Sequence, residues 1–279
     1  MSITVITGAA AGIGRALALE CAKRGHTVYA TDLRIEAMAE LATRGIRTLK
    51  LDVTRADDIA ALTRRLEEDG VTPDLLINNA GFGAFAPLAE IPLARLRAQF
   101  EVNVFSIVAL SQALIPAMVA RRRGRIVNVG SVSGVVATPF AGAYCASKSA
   151  VHALSDSMRM ELAPFGIQVI TVQPGAVRSD FGASAAKDAT VSADSLYAPV
   201  ARAIAARAQA GQVNAITAEK FAKRMLDAVL ARRPAPIVRI GPQTRLLPFL
   251  KRGLPTRVLD KRLSAMFRLH RLARSGESR

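Results

Sequence analysis

Apolar positions along this chain follow two alternating patterns. Short, nearly continuous apolar runs are separated by longer segments in which apolar residues recur at helical spacing. Unbroken apolar runs are typical of parallel strands that are buried on both faces. The runs predict strands at 3–7, 27–31, 47–51, 74–77, 125–129, 168–172 and 237–240.

Helical patterns fill the segments between these runs. They predict helices at 12–24, 34–43, 56–69, 93–120, 143–163 and 218–232. A regular alternation of strand and helix indicates repeated βαβ units. We therefore expect an α/β fold built on a single doubly wound parallel sheet.

Two stretches depart from the pattern and set the expected domain organisation. Residues 182–211 are rich in Ala, Ser and short polar side chains, which predicts a helical or mobile insert. Residues 242–279 form a basic stretch beyond the last predicted strand. We expect one domain over 1–241, with 182–211 as a lid on it, followed by a C-terminal helical extension over 242–279.

Composition narrows the class of protein. Of the 279 residues, 51% are hydrophobic and 22% are charged, so the chain has the apolar area that folding requires. Two cysteines do not make a disulfide framework and favour a reducing compartment. No apolar run reaches the roughly 18 residues of a transmembrane helix, and a predicted strand begins at once. We therefore expect a cytoplasmic protein without a secretory signal.

The net charge of +16 is concentrated near the C-terminus. Residues 232–279 contain 13 Lys or Arg and 2 Asp or Glu, whereas the first 231 residues contain 25 and 20. Apolar residues interleave with these cations, and four of them share one helical face: Leu259, Leu263, Met266 and Phe267. Such a helix binds an anionic membrane surface or packs on its own domain or on a second subunit. Nucleic acid is the weakest alternative, because no recognition motif accompanies the charge.

A glycine-rich turn directly follows the first predicted strand. Residues 7–14 read Thr-Gly-Ala-Ala-Ala-Gly-Ile-Gly. Glycines at these positions permit a tight turn and a close approach of the backbone to a ligand. The start of the next helix supplies free N–H groups and the positive end of the helix dipole for a pyrophosphate. The turn therefore predicts a dinucleotide site, with a plain tight turn as the alternative.

Asp32 stands at the end of the second predicted strand. A carboxylate at this place accepts hydrogen bonds from both ribose hydroxyls and repels a 2′-phosphate. Leu33 follows it instead of a basic residue, so NAD is favoured over NADP. Arg15 and Arg34 are near enough in sequence to weaken that preference. Capping of the next helix is the alternative role for Asp32.

The spacing Thr-Gly-x-x-x-Gly-x-Gly resembles that of the short-chain dehydrogenase/reductase family. Asp52-Val53, Asn78-Asn79-Ala80-Gly81 and Pro174-Gly175 follow later strands in the family's order. The resemblance covers about residues 1–240 and implies a Rossmann fold with a nicotinamide cofactor. Ser179 stands where the family usually has threonine, and it retains the hydroxyl. The cofactor-binding residues that the resemblance implies are Gly8, Ala11, Gly12, Ile13, Gly14, Asp32, Asp52, Val53, Asn79, Ala80, Gly81, Tyr144, Lys148, Pro174, Gly175, Val177 and Ser179.

Tyr144 and Lys148 lie four residues apart in a predicted helix, so their side chains share one face. The reference pKa of tyrosine is about 10, and a nearby lysine cation favours the phenolate. Tyr144 is therefore a candidate general acid/base. The resemblance assigns Ser131 to the substrate oxygen, Lys148 also to the ribose hydroxyls, and Asn103 to a water-linked proton relay.

Each of these side chains has a structural alternative when it is taken singly. Tyr144 would be a boundary aromatic, Lys148 a solvated helix residue and Ser131 a helix cap. In the family's order and spacing, the set indicates hydride transfer between a nicotinamide cofactor and an alcohol or carbonyl. A non-catalytic nicotinamide-binding regulator or scaffold is the alternative function. No Cys/His cluster has metal-ligand spacing, so we expect no metal.

The substrate crevice is expected beyond the carboxyl ends of the strands. Ser131 is predicted to line it together with apolar side chains, which favours a small hydrophobic secondary alcohol or ketone: Val135, Val136, Pro139, Phe140, Phe181 and Leu196, with Phe82 and Phe85 beside them. Packing of the lid by these apolar residues is the alternative. The only charge that we expect within reach of an anion is Arg178.

The C-terminal third of the chain carries a second, looser resemblance. The helix near 218–224, the strand near 237–240 and the basic tail are similar to the 17β-hydroxysteroid dehydrogenase-like and retinol dehydrogenase-like branch. That resemblance implies steroid-, retinoid- or lipid-like substrates. The family as a whole implies a homodimer or homotetramer formed through 93–120 and 143–163.

Overall fold

The molecule is built around a seven-stranded parallel sheet. This computed structural model describes residues 2–179, 181, 189 and 191–274. The strands lie in the order β3-β2-β1-β4-β5-β6-β7, which confirms the predicted doubly wound α/β class. Their bounds are β1 (Ile3–Thr7), β2 (Thr27–Asp32), β3 (Arg47–Lys50), β4 (Leu75–Asn78), β5 (Gly124–Val129), β6 (Ile167–Pro174) and β7 (Ile237–Ile240).

Helices connect the strands and extend beyond the last one. The α-helices are α1 (Gly12–Lys23), α2 (Ala39–Thr43), α3 (Ala56–Glu68), α4 (Leu93–Phe100), α5 (Ser106–Ala120), α6 (Gly142–Leu162), α7 (Ala201–Gln209), α8 (Ala218–Val229), α9 (Leu246–Gly253), α10 (Thr256–Met266) and α11 (His270–Arg274). Of the predicted insert 182–211, residues 182–188 and 190 lie outside the described residues, and the remainder contains α7.

Two predicted helices are less regular than the sequence pattern indicated. The stretch 34–43 begins with a 3-10 turn, Ile35–Met38, before α2. The stretch 93–120 is interrupted by a π-helical turn, Glu101–Phe105, between α4 and α5. Apolar periodicity locates a helix but does not show a single extra residue in a turn, since neighbouring turns keep the same face buried.

Apolar side chains cover both faces of the sheet. On one face, Leu17 of α1, Met38 and Phe221 of α8 pack against strand residues that include Ile6 and Ile77. On the other face, α3, α5 and α6 cover a second cluster of strand residues. Burial of this apolar area is the main stabilising contribution, at about 25 cal/mol per Å².

The stretch Leu93–Ala120 is the most apolar helical segment of the described chain. It has 28 residues and a mean hydropathy of 1.8, enough to cross a membrane by length and composition alone. Leu110, Leu114 and Met118 of this stretch are buried against the sheet. Packing in the core therefore accounts for part of its composition, since 44% of its apolar window is buried.

Polar side chains also cross the core beneath the carboxyl end of the sheet. Asn78 Nδ2 donates to Asn128 Oδ1 at 2.8 Å and to Ser111 Oγ at 3.3 Å. Asn128 Nδ2 donates to Ser155 Oγ at 2.9 Å. These bonds join β4 and β5 to α5 and α6, and they satisfy amides that would be costly to bury unpaired.

Gly14 is the position at which α1 packs most tightly on the preceding turn. A Cβ there would lie 2.1 Å from the carbonyl oxygen of Gly8 and 2.6 Å from Asn79 Nδ2. We expect Gly14→Ala to lower the free energy of unfolding by about 1–3 kcal/mol, because backbone must move to admit the methyl group. Urea unfolding measures this. The matched control is Gly253→Ala, whose Cβ meets no atom within 4 Å; equal stability of the two variants would contradict the close packing.

Candidate active site

The turn between β1 and α1 forms a cradle of backbone N–H groups. Gly8 and Gly12 have φ angles of +68° and +53°, in the left-handed region that favours glycine. Asn79 Nδ2 donates to the carbonyl oxygens of Thr7 at 2.9 Å and Gly8 at 3.3 Å. Thr7 Oγ1 in turn accepts from the N–H groups of Asn79 and Ala80. The end of β4 thus holds the glycine turn in place.

Asp32 lies at the carboxyl end of β2, beside this turn. Its Oδ2 accepts from the Ala10 N–H at 3.1 Å, and its Oδ1 accepts from the Arg34 N–H at 3.0 Å. The Arg34 guanidinium is 3.5 Å away and mostly exposed, whereas Arg15 forms an ion pair with Glu40. One of the two cations that weakened the NAD preference is therefore engaged elsewhere.

Asp52 follows β3 at the same edge of the sheet. Its Oδ1 accepts from the Thr54 hydroxyl at 2.7 Å and from the Thr54 N–H at 2.9 Å. These hydrogen bonds hold the pKa of Asp52 below its usual range. The carboxylate is thus charged and oriented at the rim of the cleft.

Lys148 is a buried cation beneath Tyr144 on α6. Its Nζ donates to the Val129 carbonyl at 2.8 Å and lies 6.0 Å from the centroid of the Tyr144 ring. Burial lowers the pKa of Lys148 to about 8. Lys148 is therefore charged at neutral pH, in a site where that charge is poorly solvated.

Burial also acts on Tyr144, whose pKa it raises. Hydrogen bonding by Ser131 and the positive charge of Arg207 act in the opposite direction. The Tyr144 ring packs between Phe85 and Phe181, with both centroid distances 5.6 Å. An apolar wall thus surrounds a phenol that carries its proton at neutral pH and has a hydroxyl partner.

Ser131 follows β5 and caps a short 3-10 turn. Its Oγ accepts from the Ser133 N–H at 3.0 Å, and its own N–H donates to His152 Nε2 at 3.4 Å. The residue is buried, and its extended backbone turns the side chain into the cavity. The Ser131 hydroxyl keeps its own proton available for a further partner.

Asn103 lies in the π-helical turn and braces the site from behind. Its Nδ2 donates to the Phe82 carbonyl at 2.9 Å and to Ser147 Oγ at 3.1 Å, while its Oδ1 accepts from the Phe82 N–H at 3.0 Å. Ser147 Oγ donates to the Tyr144 carbonyl at 2.8 Å. Asn103 is buried and joins the loop after β4 to α6, but its side chain does not line the cavity.

One cavity of about 1110 Å³ joins these groups. Nearly all the predicted cofactor-binding residues line it: Gly8, Ala11, Gly12, Ile13, Asp32, Asp52, Val53, Asn79, Ala80, Gly81, Tyr144, Lys148, Pro174, Gly175, Val177 and Ser179. Gly14 is the exception, because it packs against Gly8 inside the turn. Ser179 lies directly across from Gly12, where a Cβ on the glycine would approach the serine Cβ to 2.9 Å.

The structure places only some of the predicted substrate-binding residues in the cavity wall. Ser131 and Phe181 line the cavity. Val136, Phe82 and Phe85 line it as well, whereas Val135, Pro139, Phe140 and Leu196 do not. Phe140 is buried behind the wall, 6.0 Å from both Tyr197 and Phe267 by ring centroids. The chain turns at Phe140 with a φ of +65°, a reversal that the hydrophobic pattern does not reveal.

Sequence reasoning missed two contributors to the cavity. Arg207 of α7 points into it, whereas Arg178 is exposed and outside its lining. The apolar face of the tail also closes the cavity, through Leu247, Leu250, Leu259, Leu263, Met266 and Phe267. The amphipathic pattern of the tail was the available signal; Arg207 had none, because α7 carries arginine at both 202 and 207.

A glycine turn after β1, an acidic residue ending β2 and a cleft across the carboxyl ends of parallel strands define a dinucleotide-binding fold. The sequence profile of the short chain dehydrogenase family matches residues 2–190. This chain belongs to the short-chain dehydrogenase/reductase family and is an oxidoreductase that binds a nicotinamide cofactor.

Three similar proteins illustrate the relationship. The chain is 34% identical over 264 residues to the uncharacterized oxidoreductase YbbO of Escherichia coli, covering 92% of each chain. It is 31% identical over 280 residues to the NADPH-dependent 1-acyldihydroxyacetone phosphate reductase of Saccharomyces cerevisiae, covering 97% of this chain and 92% of the yeast protein. A short-chain dehydrogenase/reductase from Burkholderia phymatum, solved with NAD, superposes with a TM-score of 0.75 at 27% identity, over 94% and 95% of the two chains.

His152 is the histidine closest to this chemistry, and the structure gives it a packing role. A Cβ on Gly130 or Gly134 would lie 2.4 Å or 2.6 Å from its ring. Burial lowers the pKa of His152 to about 4, the Lys148 and Arg239 cations act in the same direction, and Asp156 opposes them. Among the described residues, no group of three or more His, Cys, Asp or Glu is placed to hold a metal ion.

This burial predicts a pH dependence of stability. The unfolded chain binds a proton at His152 below pH 6.5, whereas the folded chain does so only near pH 4, so stability falls as pH falls between these values. From pH 7 to pH 5, we expect the wild type to lose up to about 2 kcal/mol more than His152→Gln in urea unfolding. The control is His270→Gln, at an exposed histidine. Parallel pH profiles for the wild type and His152→Gln would contradict the assignment.

Proposed function

We propose that this protein transfers a hydride between NAD and a hydrophobic secondary alcohol or ketone, of steroid-, retinoid- or lipid-like character. The observation that carries the proposal is the shared cavity: Tyr144, Lys148 and Ser131 line the same space as the glycine turn and Asp32. A binding protein without turnover has no need of a buried cation beneath a buried phenol, since both are costly to place there.

Each side chain has a role that follows from its surroundings. A nicotinamide cofactor, when bound, supplies or accepts the hydride. Tyr144 is protonated at neutral pH and in that form donates its proton to a carbonyl oxygen in reduction. In oxidation it first loses that proton, and the phenolate then accepts the proton of the alcohol. Ser131 donates a hydrogen bond to the same oxygen as charge develops. Lys148 stabilises the phenolate that results.

Asn103 supports the supply of protons to Tyr144. Its amide holds the Phe82 loop and Ser147 at fixed positions behind Tyr144 and Lys148. The π-helical turn around it, a feature often found at functional sites, separates Asn103 from the regular hydrogen bonding of α4 and α5. We assign Asn103 to a water-linked relay that returns a proton to Tyr144 through Lys148.

The cofactor preference rests on Asp32. Its carboxylate lines the cavity and is held by two backbone N–H groups, which suits the ribose hydroxyls and disfavours a 2′-phosphate. The yeast relative uses NADPH by its name and the Burkholderia structure contains NAD, so the family accommodates both. Arg34 is the one cation near Asp32 that remains mostly exposed.

Turnover tests both the reaction and the cofactor. We expect nicotinamide absorbance to change with hydrophobic secondary alcohols or ketones in the presence of NAD, and Tyr144→Phe to lower kcat by about 10²–10⁴-fold through loss of the proton donor. The matched control is Tyr197→Phe, a tyrosine that packs beside Phe140 outside the cavity lining. Turnover with NADP alone would show that Arg34 outweighs Asp32.

The same variant separates an enzyme from a regulator. A Tyr144→Phe protein that binds cofactor normally but loses turnover supports the catalytic function. Intact cofactor binding without turnover of any alcohol or ketone by the wild type would instead favour the non-catalytic nicotinamide-binding regulator or scaffold.

Exposed apolar side chains favour self-association. Phe105 and Leu93 lie on the stretch Leu93–Ala120, and Met160 lies on α6; they are 54%, 56% and 65% exposed. Large exposed apolar side chains on two neighbouring helices are typical of a protein interface. We propose a homodimer or homotetramer formed through these helices.

The tail, residues 242–279, favours the hypothesis that this is a cytoplasmic protein that works at a membrane surface. Its inner face covers the cavity, whereas Leu246 and Phe249 lie outside the cavity lining and are 56% and 72% exposed. Arg and Lys surround these apolar groups, and that combination suits an anionic interface. We propose that the tail docks there and receives a lipid-soluble substrate close to the cavity.

Vesicle flotation tests this docking. We expect binding to vesicles that contain phosphatidylglycerol, weaker binding to pure phosphatidylcholine, and loss at high salt, because part of the attraction is electrostatic. Phe249→Glu should reduce binding at least about fivefold, since it removes an inserted apolar group and adds a repelled charge. Leu196→Glu is the control, at a side chain 77% exposed but outside the tail. Equal flotation of the two variants would refute docking through the tail.

A further inference from the structure

Arg207 places a guanidinium in the wall of the cavity near Tyr144. Its Nε donates to Thr138 Oγ1 at 2.7 Å, and its Nη2 lies 3.5 Å from Ser133 Oγ. Its Cζ lies 5.2 Å from the centroid of the Phe85 ring, which also packs against Tyr144. The side chain is therefore held in one orientation by two hydroxyls and an aromatic face.

This cation has no carboxylate partner among the described residues. The titratable groups that act on it are the Tyr144 phenol and the neighbouring Cys145 thiol, and burial lowers the pKa of Arg207. Arginines elsewhere in the described chain do form ion pairs, as Arg24 does with Glu20 and Asp227. Arg207 is partly buried, and a partly desolvated charge without a carboxylate partner among the described residues is costly, so its retention needs a reason.

The guanidinium N–H groups of Arg207 that have no partner among the described residues suit an oxyanion ligand. A guanidinium carries five N–H groups in a rigid fork that matches carboxylate and phosphate oxygens. The contacts with Thr138, Ser133 and the Cys145 thiol take up three of these five N–H groups. The remaining N–H groups are available to a ligand in the cavity that Arg207 lines.

The same cavity also offers an apolar path away from Arg207. The tail contributes a wall of leucine and aromatic side chains, comprising Leu247, Leu250, Leu259, Leu263 and Phe267. A cation near the reacting oxygen and an apolar wall beyond it match a molecule with a charged head and a hydrocarbon chain.

We propose that Arg207 is a specificity-determining residue that binds a phosphate or carboxylate group of the substrate, so that the substrate is an anionic amphiphile whose chain lies along the tail. This inference rests on the proposed function, because it names the class of ketone or alcohol that Tyr144 serves. A neutral sterol or retinoid would leave the guanidinium unpaired and is therefore disfavoured.

Matched ketones provide the test. The probes are 2-oxohexadecyl phosphate, 2-oxohexadecanoate and the neutral 1-hydroxyhexadecan-2-one, assayed with wild type, Arg207→Met, Arg207→Lys and the control Arg202→Met. Arg202 lies on the same helix but is exposed. We expect the wild type to prefer at least one anionic ketone, and Arg207→Met to lower kcat/KM for it about 10- to 150-fold, the value of a hydrogen bond to a charged group.

The neutral ketone and the control variant make this result specific. In Arg207→Met, kcat/KM should fall at least about tenfold more for the anionic ketone than for 1-hydroxyhexadecan-2-one, because the neutral ketone loses only the effect of the Arg207 charge on the pKa of Tyr144. Arg207→Lys should retain part of the preference through its charge, and Arg202→Met all of it. The phosphate and carboxylate arms distinguish which anion fits.

Two outcomes would overturn the proposal. One is equal kcat/KM of the wild type for the anionic and neutral ketones. The other is an equal loss on both ketones in Arg207→Met together with a shifted pH profile, which would make Arg207 a positioning residue that acts through Tyr144.

Direct binding separates this inference from the proposed function. If the wild type turns over none of the ketones, calorimetry with dodecyl phosphate and dodecanol still decides whether Arg207 binds an anion. Tighter binding of dodecyl phosphate by the wild type and Arg202→Met than by Arg207→Met supports the anion site without turnover. Equal binding by all three proteins assigns the affinity to the basic tail and refutes the site. Arg207→Lys serves in this comparison if Arg207→Met does not fold.

Discussion

The packing of the glycine turn against the end of β4 is the constraint on which the site depends. Gly14 has no room for a side chain next to the Gly8 carbonyl, and Asn79 ties that carbonyl and its neighbour to the adjacent strand. Because these contacts join β1, α1 and β4 at one point, they fix where a pyrophosphate can approach the backbone. The acidic end of β2 and the catalytic edge of β5 are then placed relative to that point by strand pairing.

Two cations in the cavity are the second feature on which the site depends. Lys148 is buried and Arg207 is partly buried, and desolvation lowers the pKa of each. The first is held by the Val129 carbonyl and the second by two hydroxyls and an aromatic ring. Neutral dipoles orient a cation without cancelling its charge, so both retain a field that acts on the contents of the cavity. The proposed roles follow from this: Lys148 stabilises a phenolate, and Arg207 binds an anionic substrate.

The tail changes the character of an otherwise common fold. Its inner apolar face completes the wall of the cavity, and its outer face presents aromatic and aliphatic groups among cations. Residues that pack inward also set the position of those that face outward, because both belong to the same short helices. The proposed docking to a membrane and the closing of the cavity thus involve the same element.

The sequence by itself determined the class of fold, a doubly wound parallel sheet. It also determined the bounds of most helices and strands and the edge of the sheet at which the cofactor site lies, because apolar runs and glycine spacing are local properties of the chain. Sixteen of the seventeen predicted cofactor-side residues line the cavity, while Gly14 serves the turn from inside. Only the tertiary structure decided between Val135 and Val136, of which Val136 alone lines the cavity. The positions of Arg207 and of the inner face of the tail could be known only from the tertiary structure. These residues lie about 60 to 120 positions from Tyr144 along the chain but line the same cavity. No local pattern encodes which side of a short helix will face a distant strand end.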